Sequence, residues 1–287
     1  MLNELRKNLF PDQPSTGQVV QATEFSTEFQ AGDRPVTVVL LPALFVGDWQ
    51  WDPIWSRLTA AGWPVIRFRE AVSMIERRTA RSMARLAEVL VAACRRHTSG
   101  PIVVCGESLG ALLALEFGRS WPAGTVGVVV SGAPGLDGSA ARMGRQLLTG
   151  SRDAREIADR FLARLLFDPA RHGIDENRYA ALVEELATPE RIEAMLAGLH
   201  AIRSYDVPGI LPTLEMPKLF LWGRQDQITP VGPWERAVPT LTAARLVVLD
   251  DCGHAPMFER PDRFFAELSE LMSACTEGRS FGDPPPE

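Results

Sequence analysis

The stretch IVVCGESLGALLALEF, residues 102–117, holds one serine between two glycines. Its opening valines favour a strand, because β-branched side chains pack well on a pleated surface. Leucines then recur at the spacing of one helical face, beginning with Leu109 and Leu112. Ser108 is therefore predicted to lie on a sharp turn between a strand and a helix.

The two glycines around this serine support a catalytic interpretation. In so tight a turn the backbone crowds its neighbours, and Gly106 and Gly110 carry no Cβ atom that could clash. A serine lifted clear of the sheet edge in this way has the position of a nucleophile. The alternative is a serine that only caps the helix. Because short motifs recur by chance, the segment Gly106–Gly110 alone leaves both interpretations open.

Composition excludes several classes of protein. The chain has 287 residues, 46% of them hydrophobic and 23% charged, enough to bury a large core. A net charge of −6 argues against a nucleic-acid partner, which needs a basic face. No apolar run reaches the length of a signal-peptide core or a membrane span, so a cytoplasmic protein with no membrane partner is expected. The four cysteines show no paired spacing, which predicts neither a metal site nor a disulfide framework.

Strands and helices alternate along most of the chain. Apolar runs such as VTVVLLP and VGVVVSG are typical of strands covered on both faces. The fold class is therefore predicted to be α/β, with a mostly parallel central sheet flanked by helices. The predicted strands are Val19–Phe29, Val36–Leu41, Val65–Phe68, Ile102–Cys105, Val126–Ser131, Lys218–Trp222 and Arg245–Leu249. The predicted flanking helices are Trp51–Ala61, Thr79–His97, Leu109–Arg119 and Pro261–Ser273.

The pattern changes between residues 134 and 213, where no strand is predicted. Three helical stretches follow one another there, over residues 151–167, 176–187 and 189–204. This indicates a helical cap inserted into the core domain, which residues 1–133 and 214–287 would form. Residues 134–213 are called the cap segment below. Its leucines and aromatic residues fit helical packing faces, which favours a core role over substrate contact.

Two further chemically active side chains follow predicted strands. Asp226 lies in the loop GRQD after one strand, and His254 follows the next strand in the sequence CGHAP. Catalytic groups of open α/β sheets lie outside the carboxyl ends of the strands. Ser108, Asp226 and His254 are therefore predicted to meet at one edge of the sheet, in that chain order.

The motifs GESLG, GRQD and GHAPMFERP together resemble those of the α/β-hydrolase superfamily. The resemblance spans residues 36–273, and the cap segment lies where that family inserts its lid. It implies a serine hydrolase fold with Ser108 as nucleophile. His254 would then take the serine proton, and Asp226 would orient the imidazole and stabilise its charged form. The resemblance implies no metal and no organic cofactor.

Other acids and histidines compete for these roles. Asp250 and Asp251 lie only a few residues before His254, a poorer place from which to orient its ring. Asp137 follows the preceding strand, where some members of the superfamily carry the acid. We nevertheless predict Asp226 as the acid. The remaining histidines have no paired acid and are expected at the surface or in the cap structure: His97, His172 and His200.

The oxyanion of acyl transfer needs two backbone N–H donors. The resemblance assigns one to Leu109, after the nucleophile, and the other to the loop after an earlier strand. That loop commonly starts with His-Gly, whereas this chain has Pro42 and Ala43. Proline has no N–H, but the expected donor lies two positions later, at Leu44.

Three aromatic residues follow this altered loop. Phe45, Trp49 and Trp51 are candidates for the wall of an apolar substrate pocket, and packing beneath the cap segment is the alternative.

The leading hypothesis is hydrolysis of an ester or thioester of a mostly apolar small molecule. A second is a lyase that expels a small carboxylate such as acetate from an acylated biosynthetic intermediate, with His254 as base. The altered oxyanion loop motivates that alternative. A third is a non-catalytic small-molecule binding protein. The serine at the turn disfavours haloalkane dehalogenases and epoxide hydrolases, which have aspartate there. The sequence does not determine an oligomeric state.

Overall fold

A computed structural model describes residues 27–43, 46–69, 83–149, 151 and 153–282. Seven strands of the described residues form one sheet in the order β1, β3, β2, β4, β5, β6, β7. Only β1 runs antiparallel to its neighbour, β3. The strands are β1 (Thr27–Gln30), β2 (Thr37–Leu41), β3 (Val65–Phe68), β4 (Ile102–Glu107), β5 (Thr125–Ser131), β6 (Lys218–Gly223) and β7 (Ala244–Leu249).

Helices flank this sheet. Every residue of β2, β4 and β6 is buried, as expected of strands covered on both faces. No helix of the described residues combines the length and apolarity needed to cross a bilayer. The helices outside the cap segment are α1 (Asp52–Ala60), α2 (Met83–Cys94), α3 (Leu109–Ser120), α9 (Gly232–Ala237), α10 (Pro256–Glu259) and α11 (Pro261–Glu277). Those inside it are α4 (Ser139–Leu148), α5 (Ala154–Leu165), α6 (Glu176–Leu186), α7 (Pro189–Ser204) and α8 (Val207–Ile210).

The predicted α/β class and mostly parallel sheet are confirmed. Six of the seven predicted strands match β2 to β7 within two residues at each end. The first, predicted as Val19–Phe29, is a strand over Thr27–Gln30, and residues 19–26 lie outside the described residues.

The elements described between β5 and β6 are helical, as the pattern predicted. Helices α5, α6 and α7 correspond to the three predicted stretches. Helix α4 was missed, because Gly144 in its interior weakens the helical signal. The limits of the cap segment and its role as a lid stay predictions.

Local chemistry sets where the three predicted cap helices begin. Each starts after a side chain that accepts a hydrogen bond from the backbone N–H three residues on. The capping residues are Asp153, Asp175 and Thr188. Each such cap contributes about 1 kcal/mol to helix stability.

Candidate functional site

Ser108 occupies the turn between β4 and α3. Its φ of 55° and ψ of −117° lie in a region that side-chain-bearing residues avoid, at a cost of about 1–3 kcal/mol. The Ser108 N–H donates to the carbonyl of Ser131 at the end of β5, 2.8 Å away. This strained turn is the geometry predicted from the flanking glycines.

Both glycines are required by close backbone approach. A Cβ atom at Gly106 would lie 2.1 Å from the carbonyl oxygen of Gly110, and one at Gly110 would lie 2.4 Å from that of Pro42. A side chain at either position would therefore clash with these backbone atoms and distort the turn. Glycine is used here for space, as the sequence indicated.

Asp226 and His254 form a buried pair. The Oδ2 atom of Asp226 lies 2.8 Å from Nδ1 of His254, and the two residues are only 5% and 1% exposed. The other carboxylate oxygen, Oδ1, accepts hydrogen bonds from the backbone N–H groups of Ile228 and Thr229, at 2.8 and 2.9 Å. The loop after β6 thus folds around the carboxylate and aims one oxygen at the imidazole.

The three rival acids do not reach His254 in this way. Each pairs with an arginine instead: Asp250 with Arg224, Asp251 with Arg260, and Asp137 with Arg142. This arrangement supports Asp226 as the orienting acid.

Thr229 also contacts this pair and was not identified from the sequence. Its Oγ1 lies 2.9 Å from Oδ2 of Asp226, 3.0 Å from the carbonyl of Gly132 and 3.2 Å from Nδ1 of His254. The hydroxyl has one proton, which can go to the carboxylate or to the carbonyl. The only sequence signal was a threonine three residues after the acid, which is also a common turn pattern.

The His254 ring packs against Gly132, the residue after β5. Gly132 has a φ of 57°, and a Cβ atom there would lie 2.6 Å from Cε1 of His254 and 2.8 Å from Nδ1. Since the preceding residue, Ser131, holds the backbone of Ser108, the imidazole and the serine converge at the end of β5. The Nε2 atom of His254 is buried and makes no hydrogen bond to the described residues. Catalytic hydrogen bonds often tighten only in the substrate complex.

A Gly132→Ala variant is expected to lose about 100-fold in kcat or more, because a 1 Å displacement of a catalytic group costs about that much. The new methyl group would collide with the imidazole, and the positive φ would add strain. Steady-state kinetics together with the melting temperature measure this. Gly173→Ala is the matched control, since Gly173 has a φ of 74° but open space around its Cβ position. Equal losses of activity in the two variants would contradict the contact argument.

The electrostatics of the pair favour a charged imidazole. Burial opposes protonation of His254, but the charge and hydrogen bond of Asp226, with smaller effects of Glu107 and Glu259, raise its pKa above the ordinary 6.5. This is the shift needed by a base that must hold a proton while the serine attacks.

Glu107, directly before the nucleophile, is fully buried. Burial raises its pKa to about 8, with His254 opposing the shift and Asp226 and Glu259 adding to it. When the amide nitrogen of Gln50 faces it, that nitrogen donates to both carboxylate oxygens, at 2.6 and 3.2 Å. Burial therefore favours the neutral form of Glu107 more than in an exposed glutamate, which limits the negative charge beside the serine.

The predicted oxyanion donors are only partly described. Leu109 is the first residue of α3, where backbone N–H groups have no acceptor within the helix. Its N–H is thus available beside Ser108, at the positive end of the helix dipole. Leu44 and Phe45 lie outside the described residues.

Trp49 and Trp51 lie in different environments. Trp51 has no exposed surface, donates from its indole to the Leu41 carbonyl and packs edge-on against Phe264 of α11. It is a core residue, which corrects its placement in a pocket wall. Trp49 is half-buried and packs edge-on against Phe258, four residues after His254.

Predictions from the sequence also concern the other three histidines and the possible metal ligands. His97 stacks on Phe29 at the edge of the sheet, and His172 packs against Phe258. The side chain of His200 lies outside the described residues. Within the described part of the chain no three His, Cys, Asp or Glu residues are grouped so that they could hold a metal ion.

Comparison with known proteins gives this geometry its context. The family model described as the alpha/beta hydrolase family matches residues 38–268. A pimeloyl-[acyl-carrier protein] methyl ester esterase of Stenotrophomonas maltophilia is 32% identical over an alignment of 189 residues, and the match covers 61% of this chain and 71% of the relative. The corresponding enzyme of Aromatoleum aromaticum is 30% identical over 178 residues, covering 56% and 69%.

Solved structures agree on the fold. An alpha/beta hydrolase enzyme from a Medee basin deep-sea metagenome library superposes with a TM-score of 0.73 at 19% identity, over 94% of this chain and 99% of that one. A thermophilic esterase from Thermogutta terrifontis gives 0.66 at 20% identity, over 88% and 93%. The solved structures thus confirm the expected fold, and the family model and the curated relatives confirm the expected class of ester hydrolase, while the individual site residues stay predictions. The chain belongs to the alpha/beta hydrolase family.

Proposed function

We propose that the protein hydrolyses a carboxylic ester of a mostly apolar small molecule through Ser108, His254 and Asp226. The observation that carries the proposal is the buried Asp226–His254 pair, 2.8 Å between Oδ2 and Nδ1, beside the strained Ser108 turn. A neutral hydroxyl is a poor nucleophile, so it needs a base whose ring is held in one orientation.

In the first half-reaction Oγ of Ser108 attacks the ester carbonyl while Nε2 of His254 takes its proton. The N–H of Leu109 stabilises the oxyanion, with the predicted donor Leu44 as the second. His254 then gives the proton to the departing alkoxide, and the alcohol leaves. Water, deprotonated by the same Nε2, attacks the acyl-serine; the acid leaves as the proton passes from Nε2 to Oγ of Ser108, which restores the enzyme.

The activity for which the relatives are named supports an ester substrate ahead of a thioester. The relatives named as esterases act on a methyl ester of an acyl group carried by a protein. For this chain we propose the coarser class, an ester with an apolar acyl group. Trp49 and Phe258 would supply an apolar wall beside the catalytic histidine.

The cap segment is proposed to act as the lid of this site. Its residues Leu165 and Phe167 form hydrogen bonds with the loop that carries His254 and with α10. A cover in this place would exclude water from the acyl-enzyme until the leaving alcohol has departed.

Reaction of a panel of acyl esters and thioesters in oxygen-18 water distinguishes hydrolysis from elimination. Hydrolysis through an acyl-serine places heavy oxygen in the released acid and gives an alcohol or thiol as the other product. We expect this outcome, with esters turned over faster than thioesters. Unlabelled acid accompanied by an alkene would establish the lyase alternative. Tight binding of the panel without turnover would establish a binding protein.

A further inference from the structure

A further buried carboxylate, Glu259 of α10, joins the histidine loop, residues 250–255, to the cap segment. Its Oε1 accepts hydrogen bonds from the N–H groups of Gly253 and Ala255, at 2.9 and 3.3 Å. Its Oε2 accepts one from the N–H of Phe167, at 2.8 Å. The side chain has no exposed surface, and Nε2 of His172 lies 4.0 Å from Oε2. One carboxylate oxygen therefore accepts from the histidine loop and the other from the cap segment. This contact between the two segments is called the junction.

A direct backbone hydrogen bond also links the two segments, and it is made by the catalytic histidine itself. The N–H of His254 donates to the carbonyl of Leu165, 2.8 Å away. The two backbones approach so closely that a Cβ atom at Gly253 would lie 2.8 Å from the Phe167 nitrogen and 3.0 Å from the Leu165 oxygen. Three successive N–H groups of the loop, at residues 253, 254 and 255, are thus held by the junction.

We infer that Glu259 is a positioning residue that fixes the backbone of His254 through the cap segment. Asp226 orients the imidazole ring, but it does not hold the chain that carries it. That chain lies between α10 and the end of α5, and the side chain of Glu259, on α10, accepts hydrogen bonds both from that chain and from Phe167 just after α5. The placement of the catalytic base therefore depends on the docking of the cap segment.

The chemistry of the junction makes glutamine a sharp test. A carboxylate offers acceptors on both oxygens, whereas an amide offers one acceptor and one NH₂ donor. In a Glu259→Gln variant the NH₂ group must face either Phe167 or the pair Gly253 and Ala255. At least one buried backbone N–H then loses its acceptor, although the volume of the side chain is nearly unchanged.

The experiment compares Glu259→Gln with Glu267→Gln. Glu267 is also a buried glutamate, on α11, and it accepts from Arg245 and Arg263, away from the histidine loop. For Glu259→Gln we expect kcat and the rate of Ser108 labelling by a small fluorophosphonate to fall together by about 10- to 100-fold, with little change in KM. Glu267→Gln is expected to lower the melting temperature and to leave the labelling rate of the folded protein unchanged.

A proton NMR signal gives a readout that a purely structural role would not alter. The proton between Nδ1 of His254 and Asp226 is expected far downfield in the wild type and in Glu267→Gln, and broadened by exchange in Glu259→Gln. If a folded Glu259→Gln protein labels at the wild-type rate and keeps this signal, the inference is overturned. Absence of labelling in the wild type would contradict the proposed nucleophile instead.

Hydrogen exchange on the wild-type protein tests the junction without any variant. The amides of Phe167 and His254 are expected to be protected to the same extent, because they open together. If the Phe167 amide exchanges at the rate of a free peptide while that of His254 stays protected, the cap segment does not hold the loop and the inference fails.

Discussion

A Ser108→Ala variant is expected to lose ester hydrolysis by on the order of 10⁶-fold in kcat, since removal of the nucleophile disables the whole catalytic group. The wild-type protein is expected to gain the mass of one fluorophosphonate adduct, and the variant none. The fold should persist, because alanine keeps the backbone hydrogen bond of residue 108 to the Ser131 carbonyl. Intact-mass measurement and initial rates on a short-chain ester measure both effects.

Ser120 provides the control for this labelling. It is an exposed serine at the end of the same helix, α3, and Ser120→Ala should label at the wild-type rate. A small probe is needed, because the proposed lid would slow a bulky reagent. An equal adduct on Ser108→Ala and the wild type would rule out Ser108 as the nucleophile.

An Asp226→Asn variant is expected to fold normally and to lose about 10⁴-fold in kcat. The amide oxygen can replace Oδ1 and keep the hydrogen bonds from the N–H groups of Ile228 and Thr229. The amide NH₂ group then faces Nδ1 of His254, which becomes an acceptor. The ring proton moves to Nε2, so the imidazole can no longer accept the proton of Ser108.

Asp137→Asn and Asp250→Asn are the paired controls for the choice of acid. Both residues pair with arginines at the surface, so each variant should keep nearly full activity. If Asp137→Asn abolished turnover while Asp226→Asn left it unchanged, the acid would be assigned to the wrong loop.

The Asp226→Asn variant is also expected to change the pH dependence of kcat/KM. His254 must be neutral to accept a proton, and its pKa is raised, so kcat/KM should fall as the pH drops through a value above 6.5. Asparagine removes the charge and hydrogen bond that raise this pKa, while burial, which lowers it, remains. The acid limb of the residual activity should therefore move to lower pH. A limb at the same pH in both proteins would show that another group controls it.

Sequence patterns that act over a few residues were sufficient to predict the fold. A turn that needs glycine for space, strands with β-branched residues and helices with their own capping side chains act over a few residues. The Ser108 turn, the strands β2 to β7 and the helices α5 to α7 could therefore be predicted. The placement of Asp226 and His254 at one edge also followed, because the carboxyl ends of parallel strands meet there.

The contacts that complete the site depended on the tertiary structure. Gly132 beneath the imidazole and Thr229 beside the acid have no motif that distinguishes them from ordinary loop and turn residues. Glu259 lies within the motif GHAPMFERP, but the motif does not show which backbone groups its side chain binds. Trp51 was a candidate for the pocket wall, with packing as the alternative, and it lies in the core against Phe264. The order of strands and helices along the chain was enough to predict which side chains reach the sheet edge, because strands joined by helices run parallel and end at the same edge. Only the packing of loops distant in the chain decided which groups touch the histidine, because such contacts depend on how close two backbones come in space.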